Sequence, residues 1–190
     1  MPFNITTVAA IKPLSIDEVK NHLVIENDFN DDDELIDIMI DTAVNYVENY
    51  TRRALLTQTI TAKYDGFEPC FELERPILQS VISISYVDTA GDTQVVDSAE
   101  YTVDITSTPA RILPSYGYSW PTTRNVVNAV TIVYVAGYTA ANLVPKQIRQ
   151  ALLLLIGDMY ENRENTVVGV AIKEQQFSVK HLLGPYVVAL

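Results

Sequence analysis

Hydrophobic and polar positions along this chain change their period twice. From Ser15, "SIDEVKNHL" puts Ile16, Val19 and Leu23 on one helical face, opened by Ser15 with Glu18 three residues on, the pattern of a capping box. The next run, "DDDELIDIMIDTAVNYVENYTRR", spaces Leu35, Ile36, Met39, Ile40, Ala43, Tyr46, Val47 and Tyr50 as a stripe, with acids in its first turn and Arg52 and Arg53 at its end, where they suit the helix dipole. From about Thr57 the period falls to two. "TQTITAKYDGF", "CFELERP", "SVISISYVD", "TQVVD", "YTVD", "ARILP" and "AVTIVYVAGY" are short, β-branched or aromatic, and separated by Pro, Gly, Asp and Ser, which predicts strands. "YVDTAGDTQVV" reads as a hairpin turning near Ala90 to Asp92, with no two-residue signature to fix its register. After "AANLVP" the helical period returns: Ile148, Ala151, Leu152, Leu155, Ile156, Met159 and Tyr160 form a stripe, and Pro145 marks the helix start.

Helices, then roughly seven strands, then helices, with neither an internal repeat nor βαβ alternation, imply an α+β fold. The expected architecture is a small helical bundle formed by N- and C-terminal helices, with an inserted antiparallel β lobe. The boundaries fall at 1–56 for the first helices, 57–140 for the β lobe, 141–165 for the long helix completing the bundle, and 166–190 for a C-terminal partner-binding segment. Leu153 and Leu154 carry apolar surface around the long helix beyond one stripe, so it needs cover on more than one side, from its own domain or a neighbouring chain. Gly157 lowers helix propensity there and suggests close approach of another backbone. The closing "PYVVAL" is apolar and uncharged, so a covering surface is expected for it too.

Composition narrows the function. The 190 residues are 48% hydrophobic and 19% charged, which is globular and long enough for a real core. Net charge is −11, which leaves no overall positive field to hold a phosphate backbone. The acidity is uneven: residues 1–56 hold 11 acids against 4 bases, whereas 141–190 hold 4 against 5. One cysteine, Cys70, excludes an intramolecular disulfide and a cysteine zinc site. No basic leader precedes an apolar block, and no apolar run reaches membrane-spanning length, so the expectation is a soluble chain with no membrane association, folded in a reducing cytoplasm.

Catalytic constellations fail one by one. His22 and His181 are the only histidines. Glu161 and Glu164 stand one helical turn apart, but a bundle di-iron site needs histidine three residues after such a glutamate, and two glycosidase carboxylates must face each other across roughly 5 to 10 Å. "GYSWP" has proline at 121 where a nucleophile elbow needs glycine. "DFNDDDE" starts like an EF-hand loop at Asp28, yet position six is Asp33 and position twelve is Met39. No Walker or dinucleotide glycine pattern occurs, and neither a cofactor nor a metal is expected. Tyr116, Tyr118 and Trp120, flanked by Arg111 and Arg124, could stack bases or sugars, although such loops more often plug a core or an interface. Glu34, Asp37, Asp41 and Glu48 share one helical face, which is either simply solvated or a wall that repels an anionic polymer.

Six blocks in order, "LSIDEVKNHL", "YVENYTRRALLTQT", "RPILQSVISISYVD", "PARILPSYGYSWP", "AVTIVYVAGY" and "VPKQIRQALLLLIGDMYENRE", resemble the tailed-phage head-to-tail connector proteins, also called adaptors or head-completion proteins. The likeness runs from about Leu14 to the C-terminal region and rests on the six blocks together, not on any single motif. The resemblance implies a helical core with a β insertion and a homo-oligomeric ring, commonly of twelve subunits. It implies docking beneath the portal protein after DNA packaging, a platform for a stopper or tail-completion protein, and DNA passing through the lumen without specific binding. It places the protein in the virion neck, made in the host bacterial cytoplasm, and carries over no catalytic residue. With that frame, Leu153, Leu154, Gly157, Glu161, Arg163 and Glu164 are the expected contacts between subunits. Phe177, Leu182, Leu183, Tyr186, Val187, Val188 and Leu190 are the expected portal contacts, and Glu34, Asp37, Asp41 and Glu48 the expected lumen face. The alternatives are another neck protein, such as a stopper or tail terminator, and more remotely a carboxylate hydrolase or carbohydrate-binding module.

Overall fold

The computed structural model describes residues 3–162 and 176–188. The chain divides into two compact units. One holds Thr57–Tyr138 together with the N-terminal residues up to Ala10, and the other holds Ile11–Leu56 and the described residues from Thr139 onward. Among the described residues the backbone therefore passes from one unit to the other three times, after Ala10, Leu56 and Tyr138.

In the β-rich unit the strands are β1 (Phe3–Thr7), β2 (Gln58–Tyr64), β3 (Phe71–Leu73), β4 (Leu78–Val87), β5 (Thr93–Val95), β6 (Tyr101–Asp104), β7 (Ala110–Pro114) and β8 (Val130–Ala136). They form a five-stranded sheet in the order β1-β2-β8-β4-β5 and a three-stranded sheet in the order β3-β7-β6, antiparallel throughout. The period-two segments all become strands. β1 is an addition and moves the first residues out of the helical bundle, where the sequence had placed them. No alternation announced it because the described side chains, Asn4, Ile5, Thr6 and Thr7, are all exposed, and backbone pairing with β2 holds the strand.

Alternation in β2 and β8 buries Ile60, Ala62 and Tyr64 beside Val130, Ile132, Tyr134 and Ala136. Phe71 of the smaller sheet meets Tyr64 edge-on at 4.7 Å, and the Tyr134 hydroxyl donates to the Glu74 carbonyl at 2.8 Å. Burial, with the negative field of Glu74 behind it, pushes both phenols above their ordinary range and keeps them neutral. The hairpin between β4 and β5 turns where expected. Asp88 Oδ1 accepts the backbone N–H groups of Ala90, Gly91 and Asp92, and Gly91 takes φ +103° against Arg124, whose Nη1 would lie 2.5 Å from a Cβ placed there.

The helical unit contains α1 (Ile16–Leu23), α2 (Asp33–Thr51), α3 (Lys146–Glu161) and α4 (Gln176–Leu183). Both halves of the capping box at Ser15 and Glu18 are made. Val19, Ile36, Ile40, Ala43, Val47, Ile148, Ala151, Leu152 and Ile156 are buried, the faces that helical spacing selects, and α3 packs on each of the other three helices.

Two charged residues are built into this unit's interior. Lys20, 1% exposed, reaches Asp33 Oδ1 at 2.6 Å, Asn30 Oδ1 at 3.2 Å and the Asn27 carbonyl at 3.3 Å, tying down the loop between α1 and α2. Glu48, 6% exposed, accepts the Leu55 N–H at 2.7 Å and so satisfies a donor just past the end of α2. Helical spacing had put Glu48 on the exposed acidic row. The structure removes it, because its carboxylate is used as a buried cap.

Candidate functional site

Among the described residues, no group of three His, Cys, Asp or Glu side chains is placed to hold a metal ion. The acid-rich loop before α2 serves the fold: Asn30 and Asp33 receive Lys20, and Asp32 accepts the Tyr160 hydroxyl at 2.6 Å. Arg111 is tied to Asp104 at 2.7 Å, and hydrogen bonds from Ser107, Thr106 and Arg111 hold the Asp104 carboxyl far below the usual carboxylate range. That arginine is not poised for a phosphate. Cys70 is half-buried at the start of β3. An open cleft of about 370 Å³ beside α1 contains Lys12, Glu18 and Asp37, but Lys12 pairs with Asp37 and Glu18 with Arg149.

The aromatic loop divides its labour. Trp120 stacks on Phe67 at 4.9 Å with the planes 11° apart and touches Phe71 edge-on at 5.8 Å, so it plugs the β-unit core. Its Nε1 is buried with no partner among the described residues. Tyr116 and Tyr118 remain exposed.

Leu153 and Leu154 are half-buried and Glu161 is exposed, while Arg163 and Glu164 lie outside the described residues. The close neighbour of Gly157 comes from its own unit. A Cβ there would meet His22 Nε2 at 3.6 Å and the Leu23 side chain at 4.0 Å, ordinary contacts with side chains of α1 and not with a second backbone.

Among the described residues, the apolar C-terminal segment is partly covered within its own unit. Leu183 and Val188 are buried, the Val188 N–H donates to the Thr51 carbonyl at 3.0 Å, and the Tyr186 hydroxyl donates to Gln147. Both apolar side chains are already buried in their own unit and so are withdrawn from the expected portal contacts. Val187 is exposed and Leu182 half-buried; Leu190 and the Phe177 side chain lie outside the described residues.

On the acidic row, Glu34 and Asp41 are exposed and Asp37 is half-buried. Lys12 lies 2.8 Å from Asp37 and 2.7 Å from Asp41. Burial alone would lower the Lys12 ammonium, but its hydrogen bonds and charge contacts with both acids outweigh that and raise its pKa. This lysine, which was not singled out from the sequence, halves the charge of the pair; its distance of 25 residues from Asp37 hid the contact.

Among the described residues the chain presents strand edges, an exposed tyrosine pair and charged helix faces. A family model for phage gp6-like head-tail connector proteins matches residues 13–114, and the chain belongs to that family: it is a structural protein of the phage neck, at the junction of head and tail. No curated protein sequence matches it. The fold is similar to that of a chain in the neck of an empty gene transfer agent (GTA) particle computed with C6 symmetry, with TM-score 0.82 and 21% identity over 100% of this chain and 97% of that one. It is similar also to chains of the native GTA virion, TM-score 0.80, and of the native GTA neck computed with C12 symmetry, TM-score 0.76, each with the same identity and coverage.

Proposed function

We propose that the chain is one subunit of a closed ring that seats beneath the portal after DNA packaging and offers a platform to a stopper or tail-completion protein. The observation that carries this reading is full-length similarity of fold to chains of GTA necks computed with C6 and C12 symmetry, joined to membership of the connector family. The role is structural, and no turnover is assigned to it. DNA passes through the lumen without specific binding, supported by the net charge of −11 and the exposed Glu34 and Asp41. Leu153, Leu154 and Glu161 are proposed subunit contacts, and Leu182 and Val187 proposed portal contacts. Negative-stain images of the purified chain with its portal test the reading. Rings stacked on portal are expected, and their absence at every salt concentration refutes it. Val187→Asp, an exposed position, is expected to weaken portal docking at least tenfold while leaving the helical circular dichroism signal unchanged.

A further inference from the structure

Five strands, each antiparallel to its neighbour, make β1 and β5 run in the same direction at opposite edges of one sheet. On β5, the Val96 N–H donates to the Ile84 carbonyl at 2.8 Å and the Asp88 N–H to the Asp92 carbonyl at 2.9 Å. With Gln94 opposite Tyr86 between them, alternation turns the amide groups of Thr93 and Val95 away from β4, off the free edge. Neither has a backbone partner there among the described residues.

Exposed edges normally carry a charge or a proline that discourages pairing. The smaller sheet follows that habit, with Glu72 in β3 and Asp104 in β6. The larger sheet does not: β1 reads FNITT and β5 reads TQV, without a charge or proline in either. Every described β1 side chain and all three of β5 are exposed, Val95 by 69%. A register irregularity lies between Ile5 and Thr7, so Phe3, Asn4 and Ile5 form the regular part of β1, three residues that match the three of β5.

We propose that the partner of each edge is a second copy of this chain: β5 of one subunit pairs in parallel with β1 of the next, and the five-stranded sheets join around the ring. The edge directions select this arrangement. A copy displaced sideways with a small rotation brings β1 beside β5 in parallel, a head-to-tail contact that repeats until it closes, whereas a two-fold axis pairs like edges and stops at a dimer. The inference rests on the ring reading, and the experiment separates the two.

The full chain with Cys70→Ser is assembled on portal. Asn4→Cys or Ile5→Cys is then combined with Gln94→Cys or Val95→Cys, and mild oxidation is followed by a non-reducing gel. Within one chain the two edges are four strand spacings apart, about 19 Å, too far for a disulfide. At least one combination is expected to give a ladder of covalent oligomers above the dimer, and single-cysteine variants none. Val95→Pro removes an outward N–H and no bond to β4, and Val95→Lys restores the missing edge charge. Each is expected to lower ring yield at least tenfold with an unchanged circular dichroism spectrum, and should the proline variant misfold, the lysine variant decides. Rings from the Cys70→Ser chain with no ladder in any combination, a ladder that stops at dimers, or a smaller loss of rings from the lysine variant overturns the edge pairing and leaves the ring reading standing. No rings from the Cys70→Ser chain or the unsubstituted chain removes both.

Discussion

Gly157→Ala weighs the cost of a glycine in α3 against the space around it. Glycine inside a helix is about 0.8–1.0 kcal/mol less favourable than alanine. Gly157 is interior to Lys146–Glu161, so that difference applies nearly in full. The new methyl would meet His22 Nε2 at 3.6 Å and Leu23 at 4.0 Å, neither close enough to force a shift. A net gain of about 0.5–1 kcal/mol is therefore expected, which for a chain of this size is roughly 1–4 °C in Tm. The assay is thermal and urea unfolding followed at 222 nm, with ring yield on portal measured in parallel. If the glycine instead exists to admit the backbone of a neighbouring subunit, the methyl overpacks that contact by about 1–3 kcal/mol and rings are lost. A lower Tm, or loss of rings whatever the Tm, would refute the assignment of Gly157 to packing within its own unit.

Lys20→Met strands Asp33 and Asn30 without their buried cation and should cost about 2–4 kcal/mol by urea unfolding, with a smaller further loss when Asp33→Asn is added. Val24 holds φ +59° at the end of α1 with a β-branched, 92% exposed side chain, so Val24→Gly should stabilise by about 1–2 kcal/mol in the same assay. Asp104 has its pKa depressed in the folded chain. The stability it adds is therefore present above the unfolded value of about 4 and is lost as pH falls through the folded value; Asp104→Asn should lower Tm at neutral pH, and the deficit should shrink on acidification below pH 4.

Much of the fold was legible because it repeats local rules. Helical spacing in 16–50 and 148–160 picked faces that the core mostly buries, Tyr46 being the exposed exception, and the Ser15 and Glu18 pair marked a helix start that both hydrogen bonds complete. What stayed hidden depends on contacts between distant residues or on backbone alone. The described side chains of β1 are all exposed, and nothing near Lys20 or Lys12 in the sequence marks their contacts with Asp33, or with Asp37 and Asp41. Glu48 had the right phase for the exposed row, but a donor past the helix end drew it inward. Of the apolar segment read as needing cover, Val188 is buried by its own unit while Val187 stays exposed.

The three passages of the backbone between the units also have a mechanical meaning. A simple insertion would join the β-rich unit to the helices by two peptide connections, and β1 adds a third through Ala10 and Ile11. Any load that draws the units apart is shared among three covalent tethers in parallel. One of these begins in a strand held to β2 by a ladder that runs from the Phe3–Ala62 pairing to the Thr7–Thr59 pairing. Such a division of load needs no disulfide, and the single cysteine of this chain could not form one within it.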